Sequence, residues 1–121
     1  MADIKEIAEM TVEYNNSGRS RELLEKVYSD KVESFEAQGM PDGARGTSGL
    51  KQLEGKWDWW EGAHEVHSST AGGPFYHGED RFGVIYEIDV TDKSSGERMQ
   101  MRELGLYTVG DGKIVKEEFF Y

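Results

Sequence analysis

Two long runs in the second half of the chain alternate apolar and polar residues with a period of two, the pattern of strands that bury one face and expose the other. Residues 80–90, "DRFGVIYEIDV", place Phe82, Val84, Tyr86, Ile88 and Val90 on one face, opposite Arg81, Gly83, Ile85, Glu87 and Asp89. Residues 97–109 place Met99, Met101, Glu103, Gly105, Tyr107 and Val109 together, opposite Arg98, Gln100, Arg102, Leu104, Leu106 and Thr108. "TDKSSGE" turns the chain between them, "GDG" at 110–112 is a hairpin signal, and "KIVKEEFFY" reads as a last strand. Such a meander must cover its apolar face with something else.

The first half supplies the cover. Residues 3–16 put Ile4, Ile7, Ala8 and Val12 on one helical stripe that ends at Asn15, Asn16, Ser17 and Gly18. Ser20 is the expected N-cap of a short second helix, "RELLEKVY", with Leu23, Leu24, Val27 and Tyr28 as its apolar face. Residues 31–38, "KVESFEAQ", read as a strand and "GMPDGARG" as a loop. A third helix is expected to begin near Thr47 or Ser48. Its stripe of Leu50, Leu53, Trp57, Trp60 and His64 turns Trp57 and Trp60 toward the core and leaves Trp59 aside, at a sheet edge or a dimer contact. From about Glu65 the strands follow, with "AGGP" at 71–74 as the expected bend. The order of elements predicts an α+β fold over residues 1–121, one domain with three N-terminal helices packed on a curved antiparallel sheet.

With 36% hydrophobic and 12% aromatic residues the chain has the composition of a globular protein, and no apolar run nears the roughly 20 residues of a membrane span. Fourteen basic against 24 acidic residues give a net charge of -10, which argues against nucleic acid and anionic membrane surfaces as partners. The absence of cysteine excludes disulfides and thiol chemistry, and the charged segment "MADIKEIAEM" lacks the apolar stretch of a secretory signal, so a cytoplasmic location is expected.

Carboxylates set among apolar residues are the candidates for chemistry. Glu103 shares its face with two methionines, a tyrosine and a valine, where an ionised group loses solvation. Glu118, by simple alternation, shares a face with Ile114, Lys116 and Phe120, and Glu36 alternates with Val32 and Ser34. If these converge, their pKa values must separate, as they do where one acid donates a proton and another accepts one. The alternative is that each is a rim or surface glutamate.

The histidines invite a metal reading that the spacing does not support. "HEVH" at 64–67 has Ser68 where the H-E-x-x-H zinc motif needs its second histidine, its own histidines are spaced i, i+3, and no cysteine is available, so no metal is expected. His64 ends the core stripe and is kept as a polar contact; His77 reads as surface.

The strings "LLEKVYSDKVESFEA" followed by a "G.RG" loop, "KWDWWEGAHEVHS", "GPFYHGEDRFGVIYEIDVT" and "DGKIVKEEFFY" resemble the SnoaL-like group of the nuclear-transport-factor-2-like superfamily, over nearly the whole length. That resemblance implies a cone-shaped fold shared with ketosteroid isomerase and polyketide cyclases, an internal pocket between helices and sheet, and a homodimer through the sheet's other face, with Ile85, Leu104 and Leu106 as contacts. It also places Tyr14, Glu36 and Glu103 loosely where ketosteroid isomerase carries a tyrosine, an acidic base and a protonated acid.

Two functions are therefore open. One is a cofactor-independent isomerase, cyclase or lyase acting on a small apolar or aromatic carbonyl compound, with Glu103, Glu118, Glu36, His64 and Tyr14 moving protons among substrate-binding walls of Trp57, Trp60, Met99, Met101, Tyr107 and Phe120. The other is a non-catalytic dimeric binding module in which the glutamates pair with Arg98, Arg102, Lys116 or a histidine.

Overall fold

The computed structural model describes residues 3–38 and 45–121. Helix α1 (Ile4–Asn16) starts where the Asp3 carboxylate accepts the Glu6 amide at 2.9 Å. It ends in a Schellman turn, with Gly18 at φ +70 and the Arg19 amide donating to the Tyr14 carbonyl at 2.8 Å. Its fully buried stripe is Ile7, Ala8, Thr11 and Tyr14, rotated from the expected one; Thr11 is tolerated there because its hydroxyl donates to the Ile7 carbonyl at 2.7 Å.

Helix α2 (Ser20–Val27) runs directly into strand β1 (Tyr28–Phe35). The expected strand at 31–38 thus begins three residues early, because Tyr28 is buried in either conformation and periodicity alone does not tell them apart. Ser20 is not the N-cap: Arg19 holds that position without a side-chain bond, and the Ser20 hydroxyl donates to Asn15 Oδ1 at 2.8 Å. Thr47 and Ser48 do not open a helix either. They belong to β2 (Gly46–Ser48), which pairs antiparallel with β1, and helix α3 (Leu50–Ala63) begins after Gly49 at φ +90. Most of the expected 39–46 loop lies outside the described residues.

Strands β3 (His64–His77), β4 (Arg81–Asp92), β5 (Arg98–Gly110) and β6 (Lys113–Phe120) form the meander, and the sheet order is β2-β1-β6-β5-β4-β3. One pairing corrects the all-antiparallel expectation, since β1 runs parallel to β6. Residue alternation fixes which face a strand shows, not its direction, and the direction of β1 is set by the α3 crossover that separates it from the meander. The sheet is open, with β2 and β3 at its edges. Asp111 and Gly112 both take positive φ in the β5–β6 turn, as the "GDG" signal requires.

The core lies between helices and sheet, where Ile7, Leu23, Leu24, Leu53, Phe82, Val84 and Ile114 are fully or almost fully buried. Burying a side chain of this size contributes about 1.5–3 kcal/mol. The Asn16 amide docks α1 on β3 by bonding both backbone groups of Ala71 at 2.8 Å. Among the described residues no helix is long and apolar enough to cross a membrane.

Register shifts in β3 and β6 decide which residues face this core. In β3 the register shifts between Val66 and Ser68 and again across the expected bend, between Gly72 and Phe75. In β6 Lys116 pairs with Thr108 but Ile114 with Val109, leaving Val115 as an extra residue. Ile114 and Glu117, three apart, therefore both point inward.

Candidate functional site

The bulge at Val115 overturns the expected facing of the last strand. Glu118 points to the opposite face, 3.7 Å from Lys116, and Phe120 is half exposed there. Their neighbours Glu117 and Phe119 face inward instead, onto a hollow of about 540 Å³ between α3, the α1–α2 corner and the sheet. A one-residue insertion inverts every side chain beyond it, so alternation read without the bulge chooses the wrong glutamate.

Glu117 is 0% exposed. Its Oε2 accepts the Tyr28 hydroxyl at 2.6 Å and its Oε1 the Ser34 hydroxyl at 2.8 Å. Because Ser34 spends its single hydrogen on Glu117, its oxygen is free to accept from Lys56 Nζ at 2.8 Å, and Lys56 also pairs with Glu36 Oε1 at 3.0 Å. Burial pushes the Glu117 pKa up, against the lowering effect of Tyr28, Lys56 and Ser34. The result is a connected polar floor, Glu36–Lys56–Ser34–Glu117–Tyr28.

Glu103 stands on the wall in a different condition. Strand β5 alternates without a bulge over Met101, Glu103 and Tyr107, so all three face the hollow as expected. Among the described residues the Glu103 carboxylate has no hydrogen-bond or ion-pair partner. Burial first, then the charge of Glu36, raises its pKa to about 7, with Lys56 opposing. Near neutral pH it is poised to give or take a proton. Beside it Tyr86 and Tyr107 bond through their hydroxyls, and burial pushes both phenols, like Tyr28, above the usual tyrosine range, so all three stay neutral donors.

Trp57 and Trp60 line the hollow and are half buried, and Trp59, which the helical stripe left aside, lines its rim with 45% of its surface exposed. His64 stacks on Trp60 with centroids 4.5 Å apart. Its Nδ1 lies 2.9 Å from the Trp60 carbonyl, which can only accept, so Nδ1 carries the proton and Nε2 is the remaining nitrogen. His67 faces away, its Nε2 2.7 Å from the Thr91 hydroxyl.

The structure thus gathers Glu36, Glu103, His64, Trp57, Trp60, Met101 and Tyr107 around one hollow. Met99 shares their face of β5 but does not line it. Tyr14 is elsewhere: its hydroxyl accepts Lys26 Nζ at 2.8 Å and its ring lies 4.2 Å under the Arg19 guanidinium, while Asn15 takes the place facing the hollow. Sequence reasoning missed Glu117, Lys56, Tyr28 and Phe119. Lys56 was within reach, since it flanks Leu53 and Trp57 on the α3 stripe. Glu117 required knowledge of the bulge.

Known proteins share this fold. A proposed SnoaL-like polyketide cyclase from Mesorhizobium loti is 40% identical, with a TM-score of 0.91 over 98% of each chain. The Δ5-3-ketosteroid isomerase of a Mycobacterium species is 18% identical, with a TM-score of 0.71 over 100% of this chain and 94% of that one. A second proposed SnoaL-like polyketide cyclase, from Jannaschia sp. CCS1, is 12% identical, with a TM-score of 0.73 over 95% and 82%. No curated protein matches. The last two establish a shared fold. The SnoaL-like domain profile matches residues 2–121, and the chain belongs to the SnoaL-like family.

Proposed function

We propose that the hollow is the internal pocket of a cone-like fold and that the protein is a cofactor-independent enzyme moving a proton next to the carbonyl of a small, largely apolar or aromatic substrate. One observation carries this reading: Glu103 is a carboxyl without a partner among the described residues, facing an aromatic-walled hollow, with its pKa raised to about 7. A base of that strength matches the task of taking a carbon-bound proton and returning it near neutral pH. Glu117 does not serve, because both its oxygens are occupied by Tyr28 and Ser34. The similarity to a proposed polyketide cyclase supports the reaction class.

A non-catalytic binding module is the second reading, and the Glu36–Lys56 pair favours it, since that glutamate is already neutralised within the protein. Under either reading we propose a homodimer through the outer face of the sheet, where Ile85, Leu104 and Phe120 form one cross-strand row and Leu104 and Phe120 are exposed.

Incubation of the protein with aryl ketones and cyclic 1,3-diketones in D2O, followed by proton NMR, separates the two. Exchange of the hydrogen next to the carbonyl is expected above the buffer rate, and to fall by at least about 100-fold in Glu103→Gln. Saturable binding of these compounds with no enhanced exchange by the wild type would leave the binding module.

A further inference from the structure

The polar groups that form the floor of the hollow have most of their hydrogens already given away. Tyr28 and Ser34 donate to Glu117. His64 gives its Nδ1 hydrogen to the Trp60 carbonyl. Tyr86 and Tyr107 are bonded to each other, and Tyr107 also neighbours the Tyr28 hydroxyl. Lys56, the charged donor of that floor, differs. Its ammonium carries three hydrogens, of which Ser34 and Glu36 take two. The third is uncommitted, on a side chain that is only 8% exposed and lines the hollow, with Nζ 5.7 Å from the centroid of the Phe119 ring.

A lysine in this position has little value for stability. A pair as buried as Lys56–Glu36 gains in attraction roughly what it loses in desolvation. Its charge does have an effect inside the hollow, because it acts on both Glu103 and Glu117. The acidic groups facing it are Glu36, Glu103 and Glu117, and among the described residues it is the only lysine or arginine lining the hollow.

Building on the proton-transfer reading above, we propose that Lys56 is a catalytic residue that holds the substrate's carbonyl oxygen, which makes the hollow a site for enolisable ketones and phenols whose oxygen gains negative charge on binding or reaction. Glu103 takes the hydrogen from the carbon next to the carbonyl. That C–H bond pair becomes the C=C bond, and the carbonyl π pair moves onto oxygen, where the third Lys56 hydrogen stabilises it without leaving nitrogen. Glu103 then returns its proton to carbon, at the same or a conjugated position, so no other reactant is consumed. A charged donor is roughly twice as effective as a neutral one toward an oxyanion, and removing one such donor typically costs about 100- to 1,000-fold in rate.

Phenols of graded acidity and similar shape imitate the enolate and need no knowledge of the substrate. Their affinities are measured from changes in tryptophan fluorescence for the wild type, Lys56→Met and Lys56→Arg. Affinity is expected to rise with phenol acidity in the wild type, to lose that dependence in Lys56→Met, and to regain most of it in Lys56→Arg. Ketone exchange in D2O should fall about 100-fold in Lys56→Met. A purely structural lysine would lower the urea midpoint and weaken all phenols equally, leaving the dependence on acidity intact, and that result overturns the proposal. Ketone exchange by the wild type with unchanged exchange in Lys56→Met overturns the Lys56 role alone. Absence of both phenol binding and exchange in the wild type overturns the proton-transfer reading itself.

Discussion

Strands β5 and β6 are neighbours in the sheet and each turns one glutamate into the same hollow, yet the two acids are held in opposite ways. Glu117 on β6 is sealed from water, and both its oxygens are satisfied by Tyr28 and Ser34. Glu103 on β5 is less deeply buried and has no bonded partner among the described residues, so burial first, then the charges of Glu36, Lys56 and Glu117, set its proton affinity. Both pKa values are raised, first by burial. A saturated acid organises its neighbours, whereas an unsatisfied acid is available to a ligand. The fold thus separates a hydrogen-bonded carboxyl from an unpartnered one across a single strand pair, among the described residues.

The largest effect expected from this contrast is on stability. Glu117→Ala removes the acceptor of two buried hydroxyls and leaves a void beside Lys56, and should cost on the order of 3 kcal/mol or more. A urea melt measures it. A loss under about 1 kcal/mol would show that water or relaxation replaces the carboxylate readily, and that the floor is not the organised unit described above.

Glu103→Gln should act in the other direction and only at higher pH. Folded Glu103 keeps its proton to about pH 7, against 4.5 for an ordinary glutamate. Between those values the native state binds more protons than the unfolded chain, so wild-type stability falls as pH rises through the window. Glutamine does not titrate. The variant should match the wild type below the window and exceed it by about 2 kcal/mol above pH 7. Glu117 titrates with the same sign in both proteins, so the difference between their melts isolates Glu103. A difference that stays constant with pH would contradict a desolvated Glu103.

The same pair of strands explains how much of the site was legible in the sequence. On β4 and β5 the alternation runs unbroken, so Phe82, Val84, Tyr86, Met101, Glu103 and Tyr107 could be placed by counting in twos. On β6 the spare Val115 changes the count by one, and Glu118 and Phe120 exchange roles with Glu117 and Phe119. A bulge is a local feature of pairing with a neighbour, and "KIVKEEFFY" contains no glycine or proline to mark it. The helices were legible as stripes, but Tyr14 was not. Its fate depends on Arg19 and Lys26, which come from the next turn and the next helix. The convergence of Lys56 with Ser34, Glu36 and Glu117 is likewise a product of β1 lying beside β6, a contact 83 residues apart for Ser34 and Glu117.

The smallest expected effect is the sharpest check on the bulge. Glu118 lies on the outer face with Lys116 at 3.7 Å, and the two side chains are 29% and 42% exposed, so their attraction is largely screened. Glu118→Ala should shift stability by no more than about 0.5 kcal/mol and leave ketone exchange unchanged. Simple alternation makes the reverse prediction, that Glu118 is the costly acid and Glu117 the silent one. Urea melts of the two alanine variants side by side therefore decide which glutamate β6 turns inward. Equal costs at both positions would mean that the strand is not held in one register at Val115, and that the floor under Glu103 is shared between two arrangements.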